Sequence, residues 1–98
     1  MTTFEEINNT LHDHLEELRQ IYSVAEIGVF GSFARGEQQE ESDVDILVEL
    51  SRPVGFVAFM KLEEHLQKLL GRRVDLVTKK ALKPFIGRCI LEEVRYVA

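Results

Sequence analysis

From Phe4 to Ile21 the apolar residues fall at Phe4, Ile7, Leu11, Leu15, Leu18 and Ile21 or Tyr22. Gaps of three and four place them on one stripe of a helix. Thr3 stands where an N-cap is needed, with Glu6 three residues on as its capping-box partner. The period then changes. Val24 to Phe30 predicts a short strand that ends at Gly31-Ser32, and Ser32 to Arg35 predicts a short helix or turn anchored by Phe33 and Ala34. Gly36 to Ser42 is acidic and polar without periodicity and predicts a loop. Val44 to Leu50 predicts a second strand, and its unbroken Ile46-Leu47-Val48 fits a strand covered on both faces.

Pro53 and Gly55 interrupt regular structure. Phe56 to Leu70 follows as a helix with Phe56, Phe59, Leu62, Leu66 and Leu69 on one face, closed by Gly71. Val74 to Val77 predicts a third strand. Pro84 suits the first turn of a last helix, with Phe85, Ile86, Cys89, Ile90 and Val94 as its apolar positions. Arg95 to Ala98 fits either an extension of that helix or a strand on a sheet edge. The predicted order is α-β-α-β-α-β-α, an α/β (α+β) fold with a three-stranded mixed sheet packed with helices.

Composition narrows the picture only modestly. Ninety-eight residues, residues 1–98, predict one domain with one compact core. The apolar fraction of 45% and charged fraction of 30% are ordinary for a soluble globular chain. No apolar run reaches the length of a membrane span, and Met1 to Glu6 lacks the pattern of a signal peptide. A cytoplasmic address is the expectation. The single cysteine, Cys89, excludes an internal disulfide and reads as a small buried hydrophobe in the last helix. The net charge of −5 argues against tight nonspecific binding to nucleic acid. His12 and His14 lie two apart and share no helix face, so they make no metal pair, and His65 reads as a surface residue.

The chemistry concentrates between Gly31 and Asp45. Asp43 and Asp45 are separated by one residue at the head of an apolar strand, so they share a face and repel each other. A cation between them relieves that repulsion. Two carboxylates aimed at one point suit Mg²⁺, which takes one or two carboxylates and completes its shell with substrate phosphates. Gly31 lets backbone approach closely, and the Ser32 hydroxyl with neighbouring N–H groups can bind an anion. Arg35 has two readings: it reaches a nucleotide phosphate, or it pairs with Glu37, Glu40 or Glu41.

If the first two strands are antiparallel neighbours, Gly31-Ser32 faces Asp43 and Asp45. If the second and third are adjacent and parallel, Asp75 joins them at the same sheet edge. The plain alternative for Asp75 is a surface acid paired with Arg72 or Arg73.

Gly31-Ser32, ten residues, then Asp43-Val44-Asp45 resembles the Gly-Ser…Asp-x-Asp signature of DNA polymerase β-like nucleotidyltransferases. Phe-Gly-Ser-Phe-Ala-Arg-Gly, Glu-Ser-Asp-Val-Asp-Ile-Leu-Val and Gly-Arg-Arg-Val-Asp-Leu-Val extend the likeness to the minimal nucleotidyltransferases (MNT), over nearly the whole chain. The resemblance implies a third catalytic carboxylate at Asp75. It further implies two Mg²⁺ ions held by Asp43, Asp45 and Asp75, and triphosphate held by Gly31 and Ser32.

It also implies a partner. MNT proteins as a class act as antitoxins to a small helical HEPN ribonuclease of the HepT type, transferring AMP from ATP to a tyrosine, which predicts a hetero-oligomer. Rival readings are an idle module that inhibits its partner by contact, and a nucleotidyltransferase for a small molecule such as an aminoglycoside. The retained Gly31, Ser32, Asp43, Asp45 and Asp75 speak against the first, and the lack of a substrate domain against the second. A glycosyltransferase, which also uses Asp-x-Asp, fits neither the phosphate turn nor the short chain.

Overall fold

The computed structural model describes residues 2–97; the readings made at Met1 and Ala98 lie outside them. Its elements are α1 (Phe4–Asp13), α2 (Leu15–Tyr22), β1 (Val24–Phe30), α3 (Gly31–Arg35), β2 (Val44–Leu50), α4 (Phe56–Leu70), β3 (Val74–Thr78), α5 (Pro84–Glu93) and β4 (Arg95–Tyr96), with a 3₁₀ turn at Lys79–Ala81. The sheet has four strands in the order β3-β2-β1-β4. β1 runs antiparallel to both β2 and β4, and β2 runs parallel to β3. The mixed sheet is as expected; its fourth strand is not.

β2 shows how the sequence divides the two faces. Val44, Ile46 and Val48 are wholly buried in the main core with Ile7, Leu11 and Leu18 of the first helices and Leu62 and Leu66 of α4. Alternation along a strand sends Asp45, Leu47 and Glu49 to the opposite face. Leu47 is buried there too. The acids therefore sit on the sheet face turned away from the main core, and the apolar strand supplies a rigid base for them.

Three expectations are corrected. The long N-terminal helix is broken at His14, whose N–H is shared between the carbonyls of Thr10 and Leu11 at 3.3 and 3.2 Å. The His14 ring also bonds the Thr10 carbonyl, Nδ1 to O at 2.9 Å, and a side chain competing for a helix carbonyl bends the helix. Leu11 and Leu15 stay buried on either side, so the stripe survives the break. Second, Cys89 is exposed. Phe85 and Ile86, 78% and 59% exposed, share that exposure, because the described elements leave the outer side of α5 uncovered. Phe56 at the start of α4 is likewise exposed. Third, the sheet has four strands and not three, because Arg95–Tyr96 take the edge-strand alternative on β1, continued by Val97, whose N–H donates to the Ile27 carbonyl at 2.9 Å.

Phe33 fixes the short helix that carries the Gly-Ser turn. It is fully buried, and the Arg72 guanidinium lies 5.3 Å from its ring centroid. Arg72 in turn donates twice to the Glu40 carbonyl, both at 2.8 Å, and so ties down the acidic loop. Phe33→Ala is expected to cost about 3–5 kcal/mol, the usual penalty for emptying a buried aromatic site. Urea unfolding followed by circular dichroism measures it; a loss under about 1 kcal/mol would show that α3 is not held through this ring.

Candidate functional site

Strand register assembles the site. Phe30, the last residue of β1, pairs with Asp45, the second residue of β2. The next residue of the chain, Gly31, therefore turns directly over Asp45. The fit is tight: a Cβ on Gly31 would lie 2.1 Å from Asp45 Oδ2, and the Gly31 φ of +71° belongs to the left-handed region. Both facts demand glycine. On the other side of Asp45, the parallel register places Asp75 of β3 beside it. Asp43 sits one residue ahead of β2 and contacts Arg73, Oδ1 to Nε at 3.2 Å.

The structure thus brings Gly31, Asp43, Asp45 and Asp75 to one edge of the sheet, with Ser32 next in the chain. The arginine that was the alternative partner for Asp75 meets Asp43 instead. A shallow cavity of about 320 Å³ opens beside Asp43, lined by the acidic loop and by Arg72 and Arg73. Another cavity of about 400 Å³ lies far from the carboxylates, at the opposite ends of β2 and β3 near Arg52 and Lys79.

Electrostatics single out Asp45. Burial, then the negative charges of Asp75, Asp43 and Glu93, push its carboxyl up to about 6, and Arg35 only partly offsets them. A carboxylate held among acids is a site short of positive charge. Among the described residues, however, no group of three or more His, Cys, Asp or Glu side chains is arranged to hold a metal ion by itself. Asp43, Asp45 and Asp75 are hard oxygen donors that could hold Mg²⁺ only together with substrate phosphate and water.

Arg35 takes the acid-pairing reading in this state, with one partner the sequence does not suggest. It contacts Glu37 at 3.3 Å, as expected, and Glu93 of α5 at 2.9 Å. The hydrogen bond with Glu93 is the main cause that raises Arg35 above its ordinary value. The second oxygen of Glu93 accepts from the Gly31 N–H at 2.8 Å. Glu93 is the residue at this site that sequence reasoning misses. Its signal is faint: Glu92 and Glu93 end α5, where the helix dipole disfavours a carboxylate unless a cation is near.

The family model for a nucleotidyltransferase domain matches residues 11–97. Protein adenylyltransferase MntA of Thermococcus cleftensis is 53% identical over 97 residues, 99% of this chain and 98% of that protein. The chain belongs to the minimal nucleotidyltransferases. It is, accordingly, an enzyme of the nucleotidyltransferase type. A solved structure provisionally named a minimal nucleotidyltransferase superposes with a TM-score of 0.81 at 31% identity, covering 96% of this chain and 95% of that one. The fold is shared more distantly with the structure of a tri-AMPylated HEPN toxin of Shewanella oneidensis in complex with an MNT antitoxin. There the TM-score is 0.67 at 18% identity, over 93% of this chain and 71% of that one. In this minimal nucleotidyltransferase the described residues contain no helix long and apolar enough to cross a membrane.

Proposed function

We propose that this chain is a protein adenylyltransferase that transfers AMP from ATP to a tyrosine hydroxyl of a HEPN-type partner, with which it forms a hetero-oligomer in the cytoplasm. The observation that carries the reading is the convergence on Asp45: Gly31 packs against its carboxylate and Asp75 stands beside it in register. The named activity of the Thermococcus cleftensis relative and the AMPylated state of the Shewanella oneidensis toxin support the acceptor class.

In this reading Asp43, Asp45 and Asp75 are the residues that would hold Mg²⁺. Divalent ions held there would neutralise the triphosphate and lower the pKa of the attacking hydroxyl. Ser32 and the amides after Gly31 hold the β- and γ-phosphates, and Arg35 adds charge to that cradle. Asp75, exposed at the sheet edge, takes the proton of the tyrosine hydroxyl. The tyrosine oxygen bonds to the α-phosphorus, the α–β phosphoanhydride breaks, and pyrophosphate leaves. β2 and β3 hold Asp45 and Asp75 in place before substrate arrives, so little reorganisation of that pair is needed.

The test is intact mass spectrometry of the helical partner protein after incubation with this chain, ATP and Mg²⁺. Mass additions in whole AMP units are expected, and none with the double variant Asp43→Asn, Asp45→Asn. A partner that binds tightly yet stays unmodified would replace this reading with inhibition by contact.

A further inference from the structure

The last turn of α5 is a poor place for a carboxylate, because the helix end already carries partial negative charge. Glu93 nevertheless sits there, with its side chain only 29% exposed. Its two oxygens are both engaged across the fold: Oε1 accepts from the Gly31 N–H at 2.8 Å, and Oε2 from Arg35 Nη1 at 2.9 Å. An amide N–H together with a guanidinium binds a phosphate oxygen as readily as a carboxylate oxygen. Glu93 also adds negative charge beside Asp45, where a triphosphate would add its own. Glu37 supplies a further acid to the same guanidinium.

We propose that Glu93 is an internal stand-in for a substrate phosphate, occupying Arg35 and the Gly31 amide in the free protein and displaced when a nucleoside triphosphate takes Arg35. The proposal rests on the reading of Gly31, Ser32 and Arg35 as the phosphate-binding turn. Glu93 touches no reacting atom in this scheme. It acts through Arg35, it keeps the turn ordered without nucleotide, and it weakens nucleotide binding by competition. A strut that merely supported the turn would do the opposite, since its removal would loosen the turn and weaken binding.

The experiment is calorimetric titration of the full chain with Mg²⁺ and a non-hydrolysable ATP analogue, comparing the natural protein with Glu93→Gln, Glu93→Asp, Arg35→Gln and the double variant Glu93→Gln, Arg35→Gln. Removing a competing charge-assisted contact is expected to tighten binding roughly fivefold to tenfold in Glu93→Gln. Glu93→Asp, whose carboxylate is drawn back by one methylene, should show a smaller gain, and it serves if Glu93→Gln fails to fold. With Arg35→Gln already in place, Glu93→Gln should bring little or no gain, which ties the effect to that pair. Natural protein that binds the analogue, with either Glu93 variant binding equally or more weakly, would overturn the stand-in role and leave the phosphate turn standing. Failure of every form to bind would remove both.

Discussion

Asp45→Asn is expected to lower nucleotidyl transfer by about a thousandfold or more and, at the same time, to make the metal-free protein more stable at pH 8. The loss follows from the position of the carboxylate between Gly31 and Asp75. Positive charge held against a transferring phosphoryl group contributes several kcal/mol, and about 4 kcal/mol is a thousandfold. The gain follows from the same crowding. Burial and the charges of Asp75, Asp43 and Glu93 raise the Asp45 carboxyl from 3.8 to about 6. A folded value above the unfolded one means that the folded chain binds this proton more tightly. The stability this provides is complete below about pH 3.8 and is lost as the pH rises through about 6.

Above that window the natural protein carries an ionised acid among acids, and asparagine relieves it. A gain of about 1 kcal/mol raises the melting temperature of a domain this size by roughly 4–8 °C. The advantage should shrink as the pH falls from 8 toward 4, and Mg²⁺ with nucleotide should stabilise the natural protein but not the variant. Scanning calorimetry at both pH values, alongside initial rates, checks it. A variant that melts below the natural protein at pH 8 would show that Asp45 supports the fold instead of straining it.

The same strain explains what the sequence discloses and what it hides. β2 and α4 are legible to their end residues because each carries a full period of its own. Val44 to Leu50 starts after an acidic loop, and Phe56 to Leu70 lies between two glycines. The convergence of Gly31, Asp43, Asp45 and Asp75 is legible for a different reason: acids beside apolar strands are costly, so their positions are informative, and topology then brings them together.

β4 has only two residues, too few to show a period, and β1 supplies half of its reason to exist. The contact of Glu93 with Gly31 spans 62 residues, with no local pattern to announce it. Cys89, Phe85 and Ile86 obey helical spacing, but spacing reveals which residues share a face and not whether that face is covered. The break at His14 depends on one side chain competing for one carbonyl, a choice that a stripe of leucines does not register.

Gly31→Ala is expected to cost activity out of proportion to stability. At a φ of +71° an L side chain is strained by about 1–2 kcal/mol. The added methyl must also displace the Asp45 carboxylate, whose Oδ2 and Cγ lie 2.1 and 2.9 Å from where the Cβ would stand. Asp45 is fixed by its strand and has a single methylene, so the carboxylate moves by about an ångström or the turn does. A misplacement of that size costs on the order of a hundredfold in rate.

Gly71 is the control. Its φ of +64° is as demanding, and although Gly71 caps α4 on the rim of the shallow cavity beside Asp43, an added Cβ meets nothing within 4 Å and so displaces no carboxylate. Gly71→Ala should lose a similar 1–2 kcal/mol by the same backbone strain while its turnover at low temperature falls less than about threefold. Denaturant unfolding and initial rates on both variants separate the two effects. Equal losses of activity at equal losses of stability would mean that backbone strain alone is at work and that Gly31 does not seat Asp45.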